Sequence, residues 1–246
     1  SAEVWTGPEN ADRKISSLKL NSSEIDGTFS SENGIAYLEW TMMFVNNSLS
    51  NNEARAIIKL PKDAVVSRLT LWVNGEEREA AFAKESVVEA AYSSVVNKNR
   101  DPVLVQYKGP DTVSMKCFPV SNKTPMKIRI GITIPAQNLA NGDCFIKLPS
   151  FIKSNFVIEK SLKHYFWVES KQPLDYKNEV SKKLESGYKL KLFLADKELK
   201  EGVSIHLPFN KQERKPYFYL LNKEQYLIST FFEEAPQMNT NVSLIK

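Results

Sequence analysis

Residues 126–134 read MKIRIGITI, with apolar side chains at 126, 128, 130, 132 and 134. A period of two places all five on one face of an extended strand, because successive strand side chains point to opposite sides. On a helix the same five would be scattered around the axis. The pattern recurs in YKLKLFLA, apolar at 188, 190, 192 and 194, and Val113, Met115 and Cys117 share a face in the same way. A chain carrying several such half-apolar strands must stack one sheet on another to cover them.

Further runs of this kind are separated by turn chemistry. Strands are expected at 14–20, 35–45, 54–60, 65–73, 78–82, 103–107, 113–120 and 126–134. Others are expected at 145–148, 156–159, 162–168, 189–195, 203–207, 217–221 and 226–232. Asn33-Gly34 and Asn74-Gly75 are hairpin dipeptides, and Pro61-Lys62-Asp63 reads as a turn. One segment breaks the rule: Val88, Ala91, Tyr92, Val95 and Val96 recur at helical spacing, which predicts an amphipathic helix near 84–98. Glu85 and Glu89 suit its N-terminal end, Lys98 and Arg100 suit the other, and Pro102 forbids continuation. Tyr92 and Val95 are expected to anchor it to a sheet, and residues 179–184 are read as a short helical turn. The expectation is a mainly β protein, a β-sandwich with that one helix over residues 1–148. A further β-rich companion region follows over 149–246, packed into the same unit or leading toward a downstream domain. Short strands punctuated by Asn, Gly and Pro suit that architecture.

Of the 246 residues, 42% are hydrophobic and 25% charged, enough for an ordinary core. The 33 basic residues exceed the 29 acidic ones only slightly, and they are scattered rather than gathered into a stripe. Nucleic acid is therefore not an expected partner. No apolar run approaches the length needed to cross a bilayer, so no direct membrane insertion is expected of this segment. Ser1-Ala2-Glu3 opens into polar sequence without a signal peptide, which is read as a segment of something larger. Cys117 and Cys144 are two cysteines only. The leading expectation is a buried thiol at Cys117, and a single disulfide between the two is the alternative.

Candidate chemistry is thin. Asp26-Gly27-Thr28-Phe29-Ser30 has the Asp-x-Thr-x-Ser form that supplies oxygens to a hard cation, but a hairpin loop accounts for the same residues. His164 and His206 stand alone, without the closely spaced partners structural zinc requires. Alternation sets His164 beside Phe166, half-buried against an aromatic face. Glu76 and Glu77 are adjacent and point to opposite faces, unlike a converging glycosidase pair. There is no Gly-x-Ser-x-Gly elbow and no phosphate-cradling glycine loop. No catalytic residue, metal or cofactor is expected, and no binding residue is assigned. Trp5, Trp40, Trp72 and Trp167 supply aromatic material, most of it at alternating positions that suit a core. Asn21-Ser22-Ser23 and Asn122-Lys123-Thr124 are sequons that matter only in a glycosylating source.

Residues 53–135 also hold their parts in a fixed order. A strand ends in Leu60-Pro61, a strand runs through Trp72, and a helix closes on Ala90-Ala91-Tyr92. Asp101-Pro102 follows, then a strand ends in Cys117-Phe118-Pro119-Val120. That order resembles the vault protein inter-alpha-trypsin (VIT) domain over roughly residues 14–135. Cys117 departs from it where a valine-like residue is usual, and Tyr107 lies in a loop that is often acidic. Read as packing, Trp72 and Tyr92 belong to the core, Asp101-Pro102 ends the helix, and Phe118-Pro119 closes a strand at the sandwich edge. QYLISTFF at 225–232, Pro236 and NVSLI at 241–245 resemble the junction ahead of a von Willebrand A domain. The resemblance implies a non-catalytic structural or protein-interaction module of a larger extracytoplasmic or membrane-associated protein. Its partner would be another protein or an adjacent, von Willebrand A-like domain of the same chain. The alternative is a carbohydrate-binding β-sandwich of a cell-surface protein, which predicts two or more coplanar exposed aromatic rings. A hydrolase, the third reading, predicts a deep pocket lined by carboxylates.

Overall fold

The computed structural model describes residues 13–30, 32–73, 75–79, 103–139, 143–177 and 179–207, and the backbone of 217–221 and 224–228. The helix expected at 84–98 with Tyr92 and Val95, Asp101-Pro102, Trp5, and the closing run through Pro236 and 241–245 lie outside these residues. In the first half the strands are β1 (Ile15–Ser30), β2 (Ile35–Asn46), β3 (Asn52–Lys59), β4 (Val65–Val73), β5 (Glu76–Glu79), β6 (Val103–Gly109), β7 (Thr112–Val120), β8 (Met126–Pro135), β9 (Gln137–Asn138) and β10 (Cys144–Lys147). There follow β11 (Ser150–Ser154), β12 (Phe156–Val157), β13 (Lys163–Ser170), β14 (Asp175–Tyr176), β15 (Glu179–Val180), β16 (Lys182–Leu184) and β17 (Gly187–Ala195). A short helix α1 (Asp196–Glu201) precedes β18 (Ser204–Leu207), β19 (Tyr217–Leu221) and β20 (Glu224–Ile228).

The chain is mainly β. A nine-stranded sheet runs β16-β17-β13-β1-β2-β8-β4-β5, with β12 also beside β1. A four-stranded sheet, β11-β3-β7-β6, and a five-stranded one, β15-β14-β18-β10-β9, complete the layers, and β19 and β20 form a separate pair. Both Asn-Gly signals mark hairpins: Gly34 between β1 and β2 sits at φ 61°, and Gly75 between β4 and β5 at φ 86°, backbone that glycine adopts without strain. Trp40, Phe44, Phe151 and Phe156 fill the space between the large sheet and the four-stranded one. The Trp40 and Phe151 rings lie 4.6 Å apart, and the Phe44 and Phe156 rings 4.9 Å. Ile128, Ile130, Ile132 and Ile134 are all buried on one face, as their period requires.

The apolar core is continuous from Leu18 to Leu207. β13 pairs with β1 in parallel, and β11 pairs with β3, so strands from beyond residue 149 enter the sheets of the first half. Asn155 seals that junction. Its Oδ1 accepts from the Arg55 amide at 2.7 Å, and its Nδ2 donates to the Glu53 carbonyl at 2.8 Å.

Several expectations change. β1 continues through the polar run Asn21-Ser22-Ser23-Glu24 to Ser30 rather than ending near residue 20, helped by an irregular register between Leu20 and Ser22. Asp26–Ser30 is therefore strand, not hairpin loop. Residues 179–184 are extended, as β15 and β16, because Lys182–Leu184 pair with Gly187–Lys189. The described helix is instead α1, whose Ala195 amide donates to the Glu198 carboxylate at 2.8 Å and whose Leu199 is buried. At six residues it is too short to show a helical period. Cys117 and Cys144 are both buried and free, and burial drives the Cys117 thiol well above its ordinary range.

Candidate functional site

Two groups of side chains stand out, one inside the large sheet and one outside it. On the inner side Ser23, Trp40, His164 and Asp196 form a string. Trp40 Nε1 donates to Ser23 Oγ at 2.8 Å, and Ser23 Oγ meets His164 Nδ1 at 2.7 Å. His164 Nε2 faces Asp196 Oδ1 at 3.5 Å, and Lys200 Nζ closes on the other Asp196 oxygen at 2.7 Å. An indole N–H only donates, so Ser23 accepts from Trp40 and passes its own hydrogen to His164 Nδ1. The imidazole proton then sits on Nε2, which faces Asp196 without closing a hydrogen bond to it. Burial raises the Asp196 carboxyl, but the nearby His164 imidazole and the Lys200 ammonium outweigh it and hold the group below its ordinary range.

Serine, histidine and aspartate in line have the composition of a nucleophilic triad. The placement argues otherwise. Ser23 is 2% exposed and His164 wholly buried, with the Trp40 and Phe151 rings packed together beside the imidazole. Ser23 borders an open cleft of about 460 Å³, but its hydroxyl is engaged on the core side by the indole and the imidazole. The string ties β1, β2, β13 and α1 together. His164 is thus fully buried rather than half-buried, and it does lie against aromatic rings. His206, by contrast, stacks on Phe145 at 5.7 Å.

The outer face of the same sheet is polar. Glu39 accepts from Tyr37 Oη at 2.9 Å and pairs with Arg68 Nη1 at 3.3 Å and Arg129 Nε at 3.4 Å. Arg129 also reaches Glu77 at 3.3 Å and lies over the Trp72 ring at 4.8 Å, with Lys127 over that ring at 4.1 Å. Trp72 is therefore a half-buried platform under two cations on the outer face, not a core residue. Asp26, directly opposite Glu39, is raised by its partial burial and by the neighbouring Glu39 charge.

Register brings three strands into a square array on this face. Phe193, Tyr165 and Glu24 form one row, Lys191, Trp167 and Asp26 the next, and Lys189, Glu169 and Thr28 the third. The Phe193 and Tyr165 rings are 5.1 Å apart and tilted by 37°, so they are not coplanar. Lys189 Nζ lies 4.3 Å from the Trp167 ring centre and 2.8 Å from Glu169. Beyond the third row an open cleft of about 340 Å³ is bordered by Thr28, Ser30, Glu169, Lys171 and Tyr188.

Asp26, Thr28 and Ser30 share this face but follow one strand, about 6.7 Å from each to the next. Oxygens so spread cannot converge on one cation at about 2.5 Å. Among the described residues no group of three or more His, Cys, Asp or Glu side chains could hold a metal ion, and no helix is long and apolar enough to cross a membrane. Neither the string nor the array is visible in the sequence, because their members meet only where β1 pairs with β2 and β13, and β13 with β17.

Residues 21–132 match the vault protein inter-alpha-trypsin (VIT) domain family. No curated protein matches the chain. Among solved structures it is similar to yeast LTA4 hydrolase in complex with bestatin, at 10% identity and TM-score 0.46, covering 85% of this chain and 31% of that one. It is also similar to a candidate nutrient binding protein of Legionella pneumophila, at 12% identity and TM-score 0.44, covering 82% and 70%. A third is Legionella pneumophila aminopeptidase A in complex with aspartic acid, at 10% identity and TM-score 0.42, covering 88% and 24%. The chain thus spans less than a third of either enzyme. Likeness at this level carries no activity across.

Proposed function

We propose that this chain is a non-catalytic structural and protein-interaction module of a larger extracytoplasmic or membrane-associated polypeptide, bracing an adjacent domain of the von Willebrand A type. The VIT domain over residues 21–132 carries the reading. The fate of the reactive side chains supports it. Ser23 is tied to His164 and Trp40 on the core side of the sheet, and His164 faces Asp196, so the serine oxygen is turned away from a substrate carbonyl. Glu39, Arg68, Arg129 and Glu77 are likewise joined in a lattice across β2, β8, β4 and β5, which stiffens the outer face for contact.

The test has two arms. The adjacent domain, made as a separate polypeptide, is titrated into this chain by calorimetry, and saturable binding is expected. The chain alone is assayed against ester, peptide and glycoside substrates, with no turnover expected. Turnover abolished by Ser23→Ala or by one carboxylate substitution, in a variant that still folds, would sink the reading.

A further inference from the structure

We propose that the free edge of β17, over residues 190–195, pairs antiparallel with the same edge of a second copy of this chain. The contact goes beyond the bracing role and does not depend on it. On one side β17 pairs with β13 from Tyr188 to Ala195. On the other side β16 covers only Gly187, Tyr188 and Lys189. Among the described residues no strand follows beyond that point, so every second residue of 190–195 turns its amide and carbonyl outward. An open edge of this kind is a template for a further strand, and proteins ordinarily guard it with charge or cover. The opposite edge of the same sheet is guarded in both ways. There β5 is Glu76-Glu77-Arg78-Glu79, wholly exposed, and the Val66 amide of β4 donates to the Tyr107 hydroxyl. The β17 edge instead reads Leu-Lys-Leu-Phe-Leu, and its Phe193 is 70% exposed.

The order of side chains along the edge selects the occupant. Leu190-Lys191-Leu192-Phe193-Leu194 is self-complementary about Leu192. Two copies related by a two-fold axis at Leu192 set Leu190 against Leu194, Leu192 against itself, and Lys191 against Phe193 at two equivalent positions. The three leucines point into the core, so their row continues the apolar face across the join. On the outer face each ammonium meets an aromatic ring, which attracts it. Lys191 has no ion pair or hydrogen bond among the described residues, so its charge is available for that contact. The free length fits as well. β16 closes the edge at Lys189 and α1 begins at Asp196, so five residues centred on Leu192 pair without meeting either. An axis at Lys191 would oppose two ammonium groups, and one at Phe193 would set Leu190 against Asp196. An unrelated extended segment finds the same backbone groups, but only a partner with a ring and a cation two residues apart matches the side chains. A second copy supplies both. Five paired residues a side make a small contact, so association is expected to be weak and reversible, with Kd on the order of 10–100 µM.

The experiment uses the whole chain. Sedimentation velocity is run from about 1 µM to about 500 µM, and amide hydrogen exchange is followed at residues 190–194. A monomer that passes to a dimer as concentration rises is expected, with slower exchange at those residues in the dimer. Phe193→Lys sets ammonium groups against each other at both outer positions and is expected to weaken the dimer about tenfold or more. Because position 193 is exposed, the melting temperature of the dilute chain should not change, which checks that the variant folds. Adding Lys191→Glu to that variant places opposite charges across the axis, and dimerisation is expected to return. Among two-fold pairings of this edge, only the register centred on Leu192 brings positions 191 and 193 together, so the rescue reads that register. A chain that stays monomeric throughout, even one that captures an unrelated extended peptide, would overturn the proposal. So would a dimer indifferent to Phe193→Lys, or a double variant that fails to recover.

Discussion

Ser23 shows how one small side chain can hold several elements. Its hydroxyl takes the Trp40 indole hydrogen and gives its own to His164, so Ser23→Ala leaves two buried groups unpaired at once. The expected cost is about 2–3 kcal/mol in denaturant unfolding, and an unchanged midpoint would mean that the string is not formed in solution. Asp196 sets a pH dependence on the same string. A carboxyl held below its ordinary range stabilises the fold above the unfolded value, and that contribution is lost as pH falls through the folded one. Asp196→Asn should therefore destabilise at neutral pH, with the difference closing in strong acid. Asp26 runs the other way. Its raised carboxyl is a liability once ionised, relieved as the pH falls through its folded value. Asp26→Asn should raise the melting temperature at neutral pH and have no effect well below the ordinary carboxylate range, as a pair of thermal melts would show. Neither the string nor the Asp26–Glu39 pairing is written locally in the chain: Ser23 and His164 are 141 positions apart.

At the level of the elements, local pattern and structure coincide where a few neighbouring residues decide the conformation. The alternation at 126–134 and the Asn-Gly turns correspond to β8 and the two hairpins, because periodicity and positive-φ glycines are properties of a few neighbouring residues. Asn21-Ser22-Ser23-Glu24 reads as loop from its composition, which is why β1 is expected to end near residue 20. In the sheet, Ser23 turns inward to the string while Asn21 and Glu24 are exposed. Gly27 tests the pairing of β1 with β2. A Cβ there would fall on the Tyr37 carbonyl oxygen of the neighbouring strand. Gly27→Ala is expected to cost about 3 kcal/mol by overpacking. Wild-type stability in that variant would mean that β1 and β2 pair in some other register. α1 has no signature in the sequence because six residues make fewer than two turns and leave no period, and its clearest mark is the Glu198 side chain reaching back to Ala195.

Taken whole, the molecule joins its VIT-matched stretch to the residues after it through β11, β12 and β13, Asn155 and the His164 string. One continuous core covers both. The parallel β1–β13 pairing that unites them is non-local, which is why the sequence suggested two regions and could not show how they meet. A chain cut after residue 148 would lose the partners of β1 and β3 and is expected to unfold without a cooperative transition. The bracing role is tested most directly by calorimetric melting of this chain alone, of the adjacent domain alone, and of the two joined as in the natural polypeptide. If the module braces its neighbour, the joined form melts higher than either part, because each folded partner stabilises the other. If the joined form shows two transitions that superimpose on those of the separate parts, the two do not support each other, and the central claim fails.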